Sequence, residues 1–197
     1  MSKPNFDLKL LVGVLDKHGV DYVVVGGIGA MAHGADMQTQ DLDCVVERSI
    51  DNLKRMAAAL ADLGATLRVS GMSDEEASSL KVPFNWEMLQ RMALSTWSTL
   101  GGDLDLLSDI PGPGNKRVNY DDIAGKVVLI DLNGIALRVA PLQVIVESKE
   151  AANRAKDREG LPELYELLGD QKQSSHPVPD PERSAQPKRP YRHGHSA

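Results

Sequence analysis

The stretch DYVVVGGIGAMAHGADMQTQDLDCVV, residues 21–46, decides the fold of this chain. Its β-branched run at 22–26 is typical of a buried strand, and the run passes directly into two glycines. The small residues of 27–34 predict a short helix that ends at Gly34. A second apolar run follows, and we predict another strand over 41–47. The segment therefore predicts a strand, a glycine turn, a short helix and a second strand.

Two aspartates stand at the start of the second predicted strand, separated by one leucine. Side chains alternate between the two faces of a strand, so we expect Asp41 and Asp43 to point the same way, about 7 Å apart. Carboxylates this close repel each other, and Mg²⁺, which prefers hard oxygen ligands, relieves the repulsion. The turn that opens the helix presents backbone N–H groups and the positive end of the helix dipole to a phosphate. Gly26 and Gly27 are therefore candidate phosphate-binding residues.

A third acid is predicted in GGDLDLLSDI, residues 101–110, which contains Asp103 and Asp105 at strand spacing. We favour Asp105, because it lies among leucines, where a charge is costly without a partner. A metal ion shared with Asp41 and Asp43 would be such a partner. A lone Gly-Gly is usually a turn and a lone Asp-x-Asp is usually solvated, but their order here is far more specific. Phosphate, metal and paired carboxylates together indicate phosphoryl or nucleotidyl transfer.

The rest of the chain predicts helices and strands around this segment. Helices are predicted at 5–19, 49–64, 83–92 and 161–169, strands at 65–71 and within 93–110, a loop at PGPGN and a hairpin at 126–140 turning at Asn133-Gly134. Pro141 favours the first residue of a further helix. If residues 142–156 form one helix, Lys149 and Lys156 share a face and Arg154 lies off it.

Composition limits the class of protein. With 42% hydrophobic and 25% charged residues, the chain is ordinary for a globular domain. Its one cysteine, Cys44, allows no internal disulfide, and a cytoplasmic location is the natural interpretation. We predict no membrane association, because no apolar run approaches the ~20 residues that span a bilayer. The net charge of −6 argues against broad binding to nucleic acid, although a local basic groove remains compatible. The proline-rich segment 170–197 predicts a disordered tail.

The glycine pair, the Asp-x-Asp pair and the later acid, in this order, resemble the signature of the DNA polymerase β-like nucleotidyltransferase superfamily. HGADMQTQDLD (33–43) resembles the His-Gly to Asp-x-Asp block of the minimal nucleotidyltransferases. VAPLQVIVESKEAANRAKD (139–157) resembles their later block, in which a lysine and an arginine lie on a helix and an aspartate follows. That group includes the AbiE-type and MenT nucleotidyltransferase toxins of toxin–antitoxin systems.

The resemblance implies an α/β (α+β) fold, with a mixed sheet and flanking helices. It implies a nucleotidyltransferase core at 1–140 and a C-terminal helical portion at 141–169. The cofactor is expected to be Mg²⁺, with Mn²⁺ as the alternative, and an NTP is the expected substrate. Asp41 and Asp43 would hold two metal ions, and Asp105 would complete the second site and act as the base. The toxins imply that the acceptor is the 3′ end of tRNA and that a cognate antitoxin is the partner.

Further nucleotide-binding residues follow from the resemblance: Thr39, Lys149, Arg154 and Asp157, the last as an orienting residue rather than a metal ligand. Gly27 stands where many relatives have a serine, and Met37 stands where the block usually has an arginine. These departures shift phosphate binding to other cations, Lys149 first. Thr39 is also a candidate regulatory residue, because a phosphate beside the acids would repel both metal and triphosphate.

Other functions use the same motifs. A small-molecule acceptor of the aminoglycoside type or a protein acceptor would need the same metal site. A regulatory module that binds a nucleotide without turnover is the non-enzymatic alternative, against which three intact acids count. The sequence leaves the acceptor, the preferred NTP and the oligomeric state open.

Overall fold

Residues 6–69, 71–72, 76 and 85–174 are described by the computed structural model of the chain. The helices in these segments are α1 (Leu8–Lys17), α2 (Gly26–Ala32), α3 (Ile50–Asp62), α4 (Trp86–Arg91), α5 (Tyr120–Ala124), α6 (Leu142–Ala152) and α7 (Ala155–Ser174). The strands are β1 (Tyr22–Val24), β2 (Asp41–Val46), β3 (Thr66–Arg68), β4 (Leu94–Thr99), β5 (Gly102–Leu107), β6 (Asp109–Pro111), β7 (Arg117–Asn119), β8 (Val128–Leu132) and β9 (Ile135–Val139). Among these helices, none has the length and apolar character needed to cross a membrane.

Seven of the strands form one mixed sheet in the order β3-β4-β5-β2-β1-β9-β8. Strands β2 and β5 run parallel, as do β1 and β9, whereas the other neighbouring pairs run antiparallel. Helices flank the sheet, so the predicted α+β class with a mixed sheet is confirmed. A separate two-stranded ribbon, β6 with β7, lies within the segment after β5.

The two faces of the sheet differ sharply where β2, β5 and β4 lie side by side. Leu42, Leu104 and Trp97 are almost completely buried on one face. The residues that alternate with them, including Asp43 and Asp105, are only partly buried on the other face. Burying three large apolar side chains contributes several kcal/mol to folding, at about 1.5–3 kcal/mol each. The hydrophobic face therefore fixes the direction in which the acids point.

The decisive segment folds as predicted, with small changes at its ends. Strand β1 covers only 22–24, and α2 begins at Gly26 instead of 27. The predicted hairpin is also confirmed, because Leu132 pairs with Ile135 across the turn. Both turn residues, Asn133 and Gly134, have positive φ angles of 54° and 82°, which asparagine and glycine tolerate best.

The predicted C-terminal helices are wrong in detail. Helix α6 ends at Ala152, because Asn153 adopts the left-handed conformation with φ 48°. A single helix over 142–156 is therefore excluded, and Pro141 is the N-cap residue of α6 instead of its first helical residue.

The last helix is longer than predicted at both ends. Helix α7 begins at Ala155, not at 161, and it contains Pro162 in its interior. It continues to Ser174, so the predicted tail boundary at 170 was too early. Residues 175–197, on which the rest of the tail prediction falls, lie outside the described residues.

Candidate metal and nucleotide site

Three acids converge on the polar face of the sheet. Asp43 on β2 and Asp105 on β5 are register partners, and Asp41 lies two residues before Asp43 on the same face. One carboxylate oxygen from each of the three lies within 4.8 Å of the other two. Hard oxygens at this spacing could bind a divalent cation such as Mg²⁺ or Mn²⁺. Below we call these three residues the acidic triad.

The electrostatics of the triad fit a bound cation. Burial raises the pKa of Asp43 to about 6, and the charges of Asp41 and Asp105 add to this rise. Burial also raises the pKa of Asp105, although a hydrogen bond from the Thr96 side chain acts in the opposite direction. No described residue donates a hydrogen bond to the buried Oδ1 atom of Asp105. A divalent cation would bind this unpartnered oxygen and offset the repulsion, so the residues fit such an ion.

Asp103 is the register partner of Asp41, yet it does not belong to the triad. Its carboxylate accepts a hydrogen bond from Nη1 of Arg68 on β3, at 2.7 Å. The sequence left both acids of β5 open, and the structure brings Asp105, the favoured one, to Asp41 and Asp43. The pairing with Arg68 distinguishes Asp103 from Asp105, whose Oδ1 atom accepts no hydrogen bond from the described residues.

The glycine pair lets the backbone approach the side chains of the site. Gly26 has a φ of +62°, and a Cβ atom there would lie 1.9 Å from Oδ2 of Asp43. A Cβ atom on Gly27 would lie 2.8 Å from the Cβ of Thr39. Any side chain at position 26 would therefore displace Asp43, and the close packing of Thr39 leaves no space for a side chain at position 27 unless Thr39 moves.

Thr39 lies beside the triad, as the sequence predicts. Its Oγ1 atom donates a hydrogen bond to Oδ1 of Asp41 and also lies 3.5 Å from the Asp41 carbonyl oxygen. A hydroxyl in this position touches Asp41 of the acidic triad directly, so a group attached to it would enter the site.

Asp157 forms ion pairs with two basic residues in the wall of the cavity that Asp41 and Asp43 also line. Its fully buried carboxylate accepts hydrogen bonds from Nε of Arg154 at 2.6 Å and from Nζ of Lys149 at 3.4 Å. Burial alone would raise the pKa of Asp157, but the hydrogen bond and charge of Arg154, together with Lys149, lower it overall. Asp157 is therefore an anion that orients two cations, and it stands outside the triad.

The break between α6 and α7 overturns the predicted arrangement of these cations. Lys149 and Arg154 were expected on different helix faces, but the turn at Asn153 brings both to Asp157. Lys156 also faces the site, because it lines the same cavity as Asp43. Its charge and that of Arg154 therefore lower the pKa of Asp43.

Two cavities meet at Asp43. A polar cavity of about 390 Å³ and an apolar cavity of about 370 Å³ share Gly26, Asp43, Lys149 and Arg154. The polar cavity also has Gly27, Thr39, Asp41, Lys156 and Asp157 in its wall. The apolar cavity is lined by residues that the sequence analysis missed, among them Leu107, Ile110, Pro111 and Ile145. The predicted nucleotide-binding residues thus all border the polar cavity.

Comparisons with known proteins show a likeness to solved structures. No protein-family model matches the chain, and no curated protein matches it. A solved structure described as a "putative nucleotidyltransferase", from Thermotoga maritima, is similar over 83% of this chain and 91% of that chain, with 14% sequence identity and a TM-score of 0.47.

Proposed function

We propose that this protein is a Mg²⁺-dependent nucleotidyltransferase, which moves a nucleotide from an NTP to an acceptor hydroxyl and releases pyrophosphate. The observation that carries the proposal is the convergence of three carboxylates, one with an unpartnered buried oxygen, beside a polar cavity lined by basic residues. Mg²⁺ held by Asp41, Asp43 and Asp105 would supply positive charge to the triphosphate and to the reacting phosphorus.

The basic side chains of the polar cavity would bind and orient the triphosphate. Lys149 and Arg154 are held by Asp157, so their donors are positioned before the nucleotide binds. Lys156 adds a third cation on this side. Several acids, including Asp36, Glu159 and Glu163, also border the cavity, so a triphosphate would be repelled there unless a divalent cation accompanied it.

The reaction itself is an in-line displacement. The oxygen of the acceptor hydroxyl forms a bond to the α-phosphorus. The bond from that phosphorus to the oxygen bridging the β-phosphate breaks, and pyrophosphate leaves with the electron pair. The carboxylate of Asp105 accepts the proton of the attacking hydroxyl.

For the acceptor we propose the 3′ end of tRNA, and for the biological role a toxin of a toxin–antitoxin system acting in the cytoplasm. The support is the resemblance of residues 33–43 and 139–157 to the two blocks of the minimal nucleotidyltransferases, the group that includes the AbiE-type and MenT toxins. The resemblance extends to a cognate antitoxin as the partner.

We propose further that the antitoxin silences the enzyme at Thr39, by modifying or covering it. The support is the contact of the Thr39 hydroxyl with Asp41. A phosphate on this hydroxyl would add a charge of about −1.5 to −2 beside the triad. It would compete with the nucleotide for the cation and repel the triphosphate.

The experiment that tests the function follows the label of each α-³²P-labelled NTP after incubation with total tRNA and Mg²⁺. We expect the label at the 3′ end of tRNA, and a chelator should abolish the transfer. Label that reaches only small molecules or protein would contradict the tRNA acceptor. NTP binding without any transfer would contradict the enzyme and favour the regulatory module.

A further inference from the structure

The polar face of the sheet continues beyond the triad as far as strand β3. Register partners lie side by side on one face, and two rows of polar residues cross β2, β5, β4 and β3 in this way. One row runs Asp43, Asp105, Thr96 and Arg68, and the other runs Asp41, Asp103, Ser98 and Thr66. On β4 the residues between them, including Trp97, are buried against the opposite side.

We propose that Thr66, Arg68, Thr96 and Ser98 form an acceptor platform, which binds the end of a polynucleotide and holds its backbone phosphate through Arg68. The proposal deepens the proposed function and rests on it. The platform is a surface separate from both cavities, because none of these four residues lines either cavity.

The distribution of charge separates a nucleotide side of the triad from an acceptor side. Lys156 and Arg154 line the polar cavity together with Asp43, whereas Arg68 lies on β3 in the same cross-strand row as Asp105. The triad therefore lies between two sources of positive charge, one on the helices α6 and α7 and one on strand β3.

In-line displacement determines which side receives the acceptor. The attacking oxygen and the leaving oxygen lie on opposite sides of the α-phosphorus. If pyrophosphate leaves toward Lys149 and Arg154, the attacking hydroxyl arrives from the opposite side. On that side stand Asp105, which takes the proton, and then β4 and β3.

The chemistry of the platform suits a phosphate and a sugar. Arg68 keeps its guanidinium in place through Asp103, at 2.7 Å, and its side chain is 40% exposed. A guanidinium has five N–H donors, so others remain for a phosphate, whose geometry they match in pairs. Thr66 and Ser98 add hydroxyl groups that donate to or accept from ribose and phosphate oxygens.

The charge of the platform disfavours a polycationic acceptor. Arg68 and Asp103 offset each other, so this part of the face adds no net negative charge to that of the triad. An aminoglycoside would need acids to bind its ammonium groups, whereas a polynucleotide needs a cation for its phosphate. The position of Arg68 also suits a backbone phosphate of the acceptor. Arg68 lies two strands from Asp105, and the two Cα atoms are about 10 Å apart at the usual strand spacing.

The test compares Arg68→Ala with Arg55→Ala. Arg55 is a matched control, because it pairs with Asp21 at 2.9 Å, its side chain is 38% exposed, and it contacts the end of β1 far from the triad. Under turnover with Mg²⁺, we expect Arg68→Ala to raise the KM for tRNA by about tenfold and to leave the KM for NTP unchanged. The slope of the logarithm of the tRNA binding constant against the logarithm of the salt concentration should decrease in magnitude by about 1, as expected for the loss of one phosphate contact. Arg68→Lys should recover part of the loss.

Direct binding separates the platform from the enzymatic function. A short single-stranded RNA, titrated into the protein without NTP, should bind more weakly to Arg68→Ala than to wild type or Arg55→Ala. Equal affinities and equal salt slopes would overturn the platform, even if the wild type transfers nucleotides to tRNA. Loss of RNA binding in Arg68→Ala, in a protein that transfers nothing, would leave the platform standing and refute the nucleotidyltransferase. Absence of RNA binding by the wild type would also overturn the platform.

Discussion

Asp43 and Asp105 lie opposite each other on the parallel strands β2 and β5, and both point away from the hydrophobic side of the sheet. Neither strand holds the site alone, because Asp41 and Asp43 come from one and Asp105 from the other. The pairing of β2 with β5 thus assembles the triad from two segments about sixty residues apart in the sequence. Each carboxylate raises the energy of its neighbours' charged forms, and the burial of apolar side chains on the opposite face of the sheet offsets this cost.

Asp43→Asn should stabilise the protein in the absence of metal. The pKa of Asp43 rises from 3.8 to about 6 in the folded state, so its ionisation opposes folding. The cost is absent below the unfolded-state pKa, grows between about pH 4 and 6, and is complete above the folded-state pKa. We expect a gain on the order of 1–3 kcal/mol at pH 7, since one pKa unit corresponds to about 1.4 kcal/mol.

Thermal unfolding in a chelator, followed from pH 4 to 7, measures this gain. The difference in Tm between Asp43→Asn and wild type should widen as the pH rises. Asp51→Asn, at an exposed position on α3, is the control and should show no such trend. Addition of Mg²⁺ should raise the Tm of wild type more than that of Asp43→Asn. A variant that is less stable than wild type at pH 7 would mean that the acids do not repel each other.

Gly26→Ala should disable the site more than it destabilises the fold. A methyl group at position 26 would lie 1.9 Å from Oδ2 of Asp43, and the positive φ adds backbone strain of about 1–2 kcal/mol. Gly19→Ala is the matched control, because Gly19 has a similar φ of +63° and the nearest atom to a Cβ there, Cδ of Arg55, would lie 3.9 Å away, an ordinary contact distance. Both variants should lose similar stability by chemical denaturation, but only Gly26→Ala should lose Mn²⁺ binding, measured by calorimetry. Equal Mn²⁺ affinities in the two variants would contradict the close approach of Gly26 to Asp43.

Lys149→Ala should weaken NTP binding by about 10- to 100-fold, the range expected for a buried charged hydrogen bond. Asp157→Asn should have a similar effect without touching the nucleotide, because it releases both Lys149 and Arg154. Lys54→Ala, an exposed lysine on α3, serves as the control. Calorimetric titration with a non-hydrolysable NTP analogue measures all three affinities. If Lys149→Ala binds as tightly as Lys54→Ala, the triphosphate is held elsewhere.

Substitutions of Thr39 test regulation. Thr39→Val preserves shape and removes the acceptor hydroxyl, so it should keep partial activity and escape an antitoxin that works by phosphorylation. Thr39→Glu places a carboxylate beside Asp41 and should be nearly inactive. The measurement is the growth of cells that express each variant, with and without the neighbouring gene as the candidate antitoxin gene. Complete rescue of Thr39→Val by that gene would exclude modification at Thr39, and occlusion by the partner would survive.

The sequence predicts the triad because same-face placement depends on local periodicity. Strand alternation requires only neighbouring residues, so Asp41 with Asp43 follows directly from their spacing. The choice between Asp103 and Asp105 depends on residues distant in the sequence, because Arg68 on another strand pairs with Asp103. Their surroundings in the sequence favoured the correct acid, but the reason for the difference lies in the sheet.

The sequence could not predict how the cations of the C-terminal helices meet. The stretch around Asn153 contains no glycine or proline, and most of its residues favour helix; the asparagine is the one local signal, because it tolerates the left-handed conformation, but by itself it does not fix where the helix ends. Tertiary packing nevertheless places Asn153 in the left-handed conformation, and that one residue brings Arg154 to the same carboxylate as Lys149. The short ribbon of β6 and β7 was missed for a related reason, since three-residue strands carry almost no periodic signal.

The rate of NTP-dependent pyrophosphate release, with saturating Mg²⁺ and tRNA, tests the central claim most directly. The comparison is between Asp41→Ala and Asp51→Ala, which remove one carboxylate inside the triad and one outside it. The account predicts a loss of at least about 100-fold for Asp41→Ala, with an unfolding temperature no lower than that of wild type, and an unchanged rate for Asp51→Ala. A rate for Asp41→Ala equal to that of wild type would contradict the assignment of the triad as the catalytic metal site.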